Sequence, residues 1–303
     1  MTVTPSHRRS PHRPAQTGSF RTSRVALYVV LITAALFYLM PVYVMLITGF
    51  KSRIEAQRIL DMWIPPSVIG FSSFQVAWFG APDSVGLQEG FWNSVQLTIP
   101  ATIISSLIGS LNGYILAKWK FRGSNLLFPL ILFGMFIPYQ SILIPLVQTY
   151  RLFEQLTGIQ LYSTIAGLVV AHCIYGIPIT TLIFRNYYAA IPSEMVEASR
   201  MDGANFFSIY RYILLPLSMP GFVVVMIWQF TSIWNDFLFG ITLANNPKVY
   251  PITLSLNNIA GSFHVPWNIQ MAAALLTSIP PLLVYIFLGR YFMRGLMAGS
   301  LKG

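Results

Sequence analysis

Residues 162–184 read YSTIAGLVVAHCIYGIPITTLIF, an apolar run without a single Asp, Glu, Lys or Arg side chain. A helix needs about 20 consecutive apolar residues to cross the roughly 30 Å hydrocarbon core of a bilayer. This run meets that length, and its Gly, Ser and Thr residues are typical of helices that pack against other helices in lipid. It therefore predicts a membrane-spanning helix.

The composition of the whole chain supports the same class of protein. Of its 303 residues, 55% are hydrophobic and only 9% are charged, whereas a soluble domain carries about 25% charged residues. So few charged side chains cannot cover a soluble globule of 34.0 kDa. The composition excludes a soluble enzyme and a disordered chain, and the single cysteine, Cys173, excludes an internal disulfide.

Five further runs resemble the first in length and composition. The six predicted spans are Val25–Phe50, Phe91–Ala117, Leu126–Val147, Tyr162–Phe184, Leu217–Leu243 and Ile269–Phe292. Only the fifth span carries an acidic residue in its interior, Asp236. We predict an all-α membrane protein with six transmembrane helices, with residues 91–292 as its main transmembrane domain.

The basic residues predict the orientation of these spans. Most of them precede the first span or follow the second, fourth and sixth spans, and the positive-inside rule places those segments in the cytoplasm. Both termini are then cytoplasmic, with residues 1–24 as a disordered basic leader, residues 25–90 as the first span and an extracytoplasmic segment, and residues 293–303 as a tail. The net charge of +10 is explained by topology and does not indicate a nucleic-acid partner.

A polar segment joins the fourth and fifth spans, and residues 192–216 of it read PSEMVEASRMDGANFFSIYRYILLP. We expect Ser193 to cap a first helix, Gly203 to end it in the left-handed conformation, and Asn205 to cap a second helix. Pro216 should end or kink that second helix. This helix–Gly–helix hairpin is either a loop that stabilises the bundle or a docking element for a cytoplasmic partner, and the local pattern leaves both open.

The spacing inside this hairpin resembles a known signature. Glu197-Ala198-Ser199, three residues, Gly203, nine residues and Ile213-Leu214-Leu215-Pro216 fit E-A-A-x3-G-x9-I-x-L-P, which belongs to the integral-membrane permease subunits of binding-protein-dependent ABC importers. Ser199 is the one departure, since Ala is usual there. The stretch from Arg290 to Gly303 is similar to the tail of the carbohydrate-uptake, maltose-type inner permease branch, and residues 137–140, 177–180 and 234–237 resemble its glucose/mannose-type members.

This resemblance implies an all-α ABC importer permease fold and half of a sugar-translocation pathway. The implied partners are a second homologous permease, two ATP-binding subunits, an extracytoplasmic sugar-binding protein and membrane lipid. The implied ATPase-coupling residues are Glu197, Ala198, Ser199, Asp202, Gly203, Ile213, Leu215 and Pro216. The implied location is the cell membrane, the inner one where there are two, of a bacterium or archaeon.

The sequence lacks the phosphate-binding pattern G-x-x-x-x-G-K-[ST]. We therefore expect no catalytic residue and no cofactor on this chain, with ATP and Mg held by the partner ATPase subunits.

Candidate substrate-pathway residues lie at the predicted outer end of the fifth span: Trp234, Asn235 and Asp236. A ring, an amide and a carboxylate suit the C–H faces and hydroxyls of a sugar, although an ordinary interfacial aspartate is the plainer explanation for Asp236. His172 and Cys173 are too few to form a metal site, so His172 is expected to make an interhelical hydrogen bond.

The rival function is a self-contained secondary transporter or channel for a small polar solute. Such proteins usually carry ionisable coupling residues at the membrane midplane, and the predicted spans have almost none. A structural scaffold would not need the hairpin spacing. The sequence therefore favours the importer subunit.

Overall fold

The computed structural model describes residues 19–82, 84–119, 121–260 and 266–300, which are predominantly helical. Residues 1–18 of the predicted leader and 301–303 of the predicted tail lie outside the described residues. The longer helices are α1 (Ser19–Gly49), α4 (Gln88–Lys118), α6 (Tyr139–Thr157), α7 (Ile165–Ala189), α11 (Met219–Trp234) and α14 (Trp267–Ser300). The shorter ones are α2 (Arg53–Ala56), α3 (Ser72–Phe79), α5 (Ser124–Phe133), α8 (Ser193–Met201), α9 (Phe206–Ile209), α10 (Leu215–Leu217), α12 (Leu238–Leu243) and α13 (Ile252–Ala260).

Four helices, α1, α4, α7 and α14, are long and apolar enough to cross a membrane, and they match the predicted first, second, fourth and sixth spans. Their ends differ from the prediction. Helix α1 begins at Ser19, so residues 19–24, which were assigned to a disordered leader, are helical. Helix α14 continues to Ser300, so most of the predicted tail is helical as well.

The predicted third span, Leu126–Val147, is not one straight helix. Residues 124–136 and α6 form two arms that meet at 99°. Ile137, which precedes Pro138, takes the extended conformation with φ −75° and ψ 117°, because the proline ring disfavours the helical conformation in the residue before it. Counting each bent pair as one span raises the total from four to the predicted six.

The predicted fifth span, Leu217–Leu243, is also divided. The bend of 76° between residues 206–217 and α11 lies at the start of this predicted span, and the division inside the span follows Trp234, where α11 ends. The carboxylate of Asp236 then accepts the backbone N–H groups of Phe239 and Gly240 over 3.1 and 3.3 Å. This side chain thereby starts the separate helix α12, because it satisfies N–H groups that have no partner inside the helix.

Small residues hold α4 and α7 together at the centre of the molecule. A Cβ atom on Gly109 would lie 2.2 Å from Thr180 Oγ1, and one on Gly113 would lie 2.7 Å from the backbone nitrogen of Arg185. Only glycine permits this approach, as in other closely packed membrane helices. The pair α4 and α7 forms a frame, and α11 packs against both of its helices.

Short elements connect α1 to α4. Helix α2 begins with a capping box in which Ser52 and Glu55 bind each other's backbone N–H groups. The buried Lys51 Nζ donates to the carbonyl oxygen of Asp61 over 2.8 Å. Helix α3 is followed by the two-residue strands β1 (Gly80–Ala81) and β2 (Ser84–Val85), which pair antiparallel with Gly80 opposite Val85.

Candidate functional site

The predicted hairpin between α7 and α11 is present, and we call residues 193–217 the coupling hairpin. Helix α8 ends at Met201, and Gly203, two residues later, has a φ of +84°, which is left-handed as predicted. The N–H of Gly203 donates to Arg200 O over 3.0 Å, and the N–H of Ala204 donates to Ser199 O over 2.9 Å. These two bonds form a complete Schellman motif, which fixes the direction in which the second helix leaves the first.

The two predicted helix caps have different outcomes. Asn205 caps the second helix as predicted, since its Oδ1 accepts the N–H of Ser208 over 2.9 Å. The prediction that Ser193 caps the first helix is wrong, because α8 already begins at Ser193. The cap position is Pro192, which offers no side-chain acceptor. The Ser193 hydroxyl instead accepts a hydrogen bond from Lys118 Nζ at 3.3 Å, so it ties the hairpin to the end of α4.

The inner face of the coupling hairpin is apolar and buried. Val196, Ile209 and Leu214 have at most 3% of their surface exposed and pack in one cluster with residues of α4, α7 and α11. At the edge of this cluster the Arg200 guanidinium lies 3.9 Å above the centre of the Trp119 ring. A cation is attracted to an aromatic face, so this contact holds α8 against the end of α4.

The outer face carries the residues that the resemblance singled out. Glu197, Ala198, Asp202 and Gly203 are exposed, Ser199 is half-buried, Ile213 and Leu215 are partly buried, and Pro216 is exposed at the bend. Large apolar side chains lie among them with most of their surface exposed: Met201 (89%), Phe207 (70%) and Tyr212 (73%). Exposed apolar side chains next to carboxylates are typical of a docking surface.

A cavity of about 190 Å³ lies between α7 and α11, and we call it the inner cavity. Its lining combines two aromatic rings with neutral polar groups and contains no Asp, Glu, Lys or Arg: Met135, His172, Tyr175, Gly176, Ile179, Trp228, Gln229, Ser232 and Ile233. Gln229 and His172 are buried, whereas Trp228 and Ser232 are exposed. The cavity thus opens to the surface of this single chain.

The three residues predicted to line the substrate pathway do not meet at this cavity. Trp234 has 1% of its surface exposed, and its Nε1 donates to Thr277 O on α14 over 3.0 Å. Asn235 is exposed at the end of α11. Asp236 does not line the cavity, but its Oδ2 lies 3.6 Å from Nε2 of His172, which does. As pathway residues the three stay predictions.

The Nε2 atom of His172 does not make the expected interhelical hydrogen bond within the described residues. This atom has no hydrogen-bond partner within the described part of the chain, although the side chain is almost fully buried and faces the inner cavity. Sequence reasoning also missed Trp228, Gln229 and Ser232 on α11. The amide at position 229, inside an otherwise apolar run, was the signal that could have pointed to them.

Comparison with known proteins identifies the family. The family model described as "Binding-protein-dependent transport system inner membrane component" matches residues 109–297, which is more than half of the chain. A probable ABC transporter permease protein of Pyrococcus horikoshii is 43% identical, over 93% of this chain and 98% of the relative. The xylose/arabinose import permease protein XacI of Haloferax volcanii is 36% identical, over 90% of this chain and 92% of the relative.

A solved structure has the same fold. It is the crystal structure of a bacterial ABC transporter involved in the import of the acidic polysaccharide alginate, with a TM-score of 0.77 and 20% identity, over 92% of this chain and 100% of the matched chain. The apolar helices, the coupling hairpin and the family match lead to one conclusion: the chain belongs to the binding-protein-dependent transport system inner membrane components, and it is a multi-pass membrane permease subunit.

Proposed function

We propose that this chain is the permease subunit of an ATP-driven importer for a small neutral carbohydrate and forms half of the translocation pathway. The observation that carries the proposal is the lining of the inner cavity. Trp228 and Tyr175 offer ring faces for the C–H side of a sugar, and Gln229, His172 and Ser232 offer donors and acceptors for its hydroxyls. The lack of carboxylates, lysines and arginines in the lining favours a neutral ligand.

The size of the cavity and the name of one relative support a monosaccharide. A volume of about 190 Å³ suits a single sugar ring better than a long oligosaccharide. The Haloferax volcanii relative is named for the import of xylose and arabinose. Within the monosaccharides, the resemblance of residues 137–140, 177–180 and 234–237 favours a glucose-type sugar.

The exposed surfaces support the proposed partners. The most apolar stretch of α1 has 0% of its residues buried within this chain, against 50% for α7. Lipid and a second homologous permease would cover α1, and that second permease would close the open side of the inner cavity. The coupling hairpin would enter a cleft on one of two ATP-binding subunits. These subunits would hold ATP and Mg. An extracytoplasmic binding protein would deliver the sugar to the side opposite the hairpin.

The test is purification of the complex through a tag on this chain, followed by reconstitution into proteoliposomes together with its extracytoplasmic binding protein. ATP-binding subunits should co-purify, and ATP-driven uptake should occur with D-glucose or D-xylose but not with the anionic sugar D-glucuronate. Uptake of amino acids or inorganic phosphate without uptake of any neutral sugar would contradict the proposal.

A variant of the cavity makes the test specific. Trp228→Ala removes a ring that is 55% exposed at the cavity, and loss of one stacking contact should raise the KM for sugar by about tenfold. Trp63→Ala is the matched control, because Trp63 is 47% exposed but lies in the segment after α1, away from the cavity. An unchanged KM in Trp228→Ala would show that the inner cavity is not part of the translocation pathway.

A further inference from the structure

The coupling hairpin joins α11 through a sharp bend at Ser218. Residues 206–217 meet α11 at 76°, and the bend lies between Pro216 and Pro220. Proline has no N–H, so it cannot continue the hydrogen-bond ladder of a helix. Just before the bend the helix widens into a π-turn, in which the N–H of Leu215 donates to Tyr210 O. Such turns are frequent at functional sites.

Four hydroxyl groups surround this bend in a continuous chain. Ser110 Oγ lies 2.9 Å from Tyr210 OH and 2.6 Å from Tyr188 OH. Tyr188 OH donates to Ser218 Oγ over 3.0 Å, and Ser218 Oγ donates to Leu215 O over 3.0 Å. We call Tyr210, Ser110, Tyr188 and Ser218 the hydroxyl chain.

Each hydroxyl has one proton to donate, and this determines which group donates in each hydrogen bond of the hydroxyl chain. Tyr188 uses its proton on Ser218, so Ser110 must donate to Tyr188, and Tyr210 must donate to Ser110. Every hydroxyl therefore donates once, and the series ends on a carbonyl oxygen of the bent segment itself. Replacing the hydroxyl of any member would remove one hydrogen bond from each of its neighbours in the chain.

The hydroxyl chain is buried and spans separate elements. Ser110 on α4, Tyr188 on α7 and Ser218 at the bend are each 0% exposed, so a broken link cannot be replaced by water at little cost. Tyr210 belongs to the coupling hairpin, and its ring stacks on Tyr114 of α4 with the ring centres 5.8 Å apart. The two sides of the bend are thus both fastened to the frame of α4 and α7.

This arrangement bears on how motion reaches the inner cavity, because α11 begins next to Ser218 and carries Trp228, Gln229 and Ser232. We propose that the hydroxyl chain locks the bend at Ser218, so that a displacement of the coupling hairpin by the ATP-binding subunits is passed to α11 and to the frame of α4 and α7 together. The proposal rests on the proposed function. Without the lock, the bend flexes and absorbs the displacement, and ATP is hydrolysed without transport.

The test measures sugar transported per ATP hydrolysed by the whole complex in proteoliposomes, with radiolabelled D-glucose and D-xylose as probes. Tyr188→Phe and Ser218→Ala should each lower this ratio by about fivefold or more, while the ATP-binding subunits still co-purify. The double variant should be no worse than either single variant, because both remove the same connection. If the Tyr188→Phe protein does not accumulate, Tyr210→Phe replaces it in the test. This variant removes the first donor of the hydroxyl chain, and it should disturb folding less because Tyr210 is only partly buried.

Tyr150→Phe is the matched control. Tyr150 is also a buried tyrosine whose hydroxyl donates a hydrogen bond, to Gly167 O over 2.8 Å, but it lies on α6 away from the bend. It should lower thermal stability to a similar extent and leave the ratio unchanged.

Wild-type ratios in Tyr188→Phe and Ser218→Ala, or an equal fall in Tyr150→Phe, would overturn the proposal. Failure of the proposed function is distinguishable from this outcome, because the wild-type complex itself would then transport no sugar.

Discussion

Gln229 on α11 donates a hydrogen bond from its Nε2 to Ser105 Oγ on α4 over 3.0 Å, and both side chains are buried. The contact passes over Gly176 of α7, where an added Cβ atom would lie 2.1 Å from Gln229 Nε2. One bond therefore connects the wall of the inner cavity to the frame of α4 and α7, and a glycine leaves the space for it.

We predict that Gly176→Ala displaces the Gln229 amide and breaks this hydrogen bond. The overpacking should cost about 1–3 kcal/mol of stability, seen as a lower melting temperature in detergent, together with a higher KM for sugar. Gly289→Ala is the control, since a Cβ atom there would have no neighbour closer than 3.8 Å. It should leave the KM unchanged and the melting temperature equal or higher. A Gly176→Ala variant with wild-type stability and KM would refute the assigned role of the glycine.

The second prediction concerns Gly203. A Cβ atom there would meet nothing within 4 Å, yet φ is +84°, so the requirement is conformational and not steric. Gly203→Val should cost about 1–2 kcal/mol or more, redirect the second helix and abolish uptake at near-normal membrane levels. Gly203→Asn should retain most uptake, because asparagine tolerates this conformation. Equal loss in both variants would mean that the partner contacts the glycine itself.

The third prediction concerns the exposed carboxylate of Glu197. Glu197→Lys should leave membrane insertion unchanged, weaken co-purification of the ATP-binding subunits and abolish uptake, because loss of one partner of a charge pair buried at an interface costs roughly 2–5 kcal/mol. Ser199→Ala should be silent: the Ser199 hydroxyl bonds only within its own helix, to Met195 O at 2.7 Å, within the described residues. Normal uptake by Glu197→Lys would show that the hairpin does not bind the ATP-binding subunits through Glu197.

The fourth prediction concerns pH. Hydrogen bonds, first from the Ser67 hydroxyl and then from the backbone of Ser52, lower the pKa of Glu55 to about 2. A lowered pKa contributes stability above the ordinary value of 4.5, and this stability is lost as the pH falls from 4.5 towards 2. Cleavage by pepsin between residues 52 and 69 should therefore increase relative to other sites as the pH falls through this window. Glu55→Gln should remove that pH dependence, and its persistence would assign the effect to another group.

The fifth prediction concerns orientation. In a Cys173→Ala background, a cysteine at Ser84 should react with a membrane-impermeant maleimide in intact cells. A cysteine at Ser300 should react only after permeabilisation, because the positive-inside rule places that end in the cytoplasm. The reverse pattern would invert the topology and place the coupling hairpin on the wrong side for ATP-binding subunits.

Local chemistry decided which parts of the fold were predictable. Gly203, Asn205 and Pro216 act within a few residues of themselves, so the hairpin, its left-handed turn and its bend follow from sequence. Residues 126–147 were predicted as one span although the chain breaks at Ile137 and Pro138, because prolines also occur inside continuous membrane helices, as Pro178 does in α7. Nothing local separates these cases, since neighbouring helices decide whether the ladder is interrupted.

The candidate site was harder to predict for a related reason. In an apolar membrane helix nearly every face is hydrophobic, so periodicity does not tell which side faces the cavity. Trp234 and Trp228 lie in one helix, yet one ring is 1% exposed and the other 55%. The hydroxyls of Ser110, Tyr188 and Ser218 are distant in sequence and meet only through the close packing of α4 and α7.

The bend at Pro138 has a consequence for biosynthesis. Residues 124–136 form an arm of about 20 Å, at about 1.5 Å per residue, which is shorter than the roughly 30 Å of hydrocarbon. Such an arm cannot be released into lipid alone as it leaves the translocon, because its last carbonyls would face the acyl chains unpaired. It packs on α7, which is synthesised later, so the nascent chain has to retain the first arm until α7 emerges.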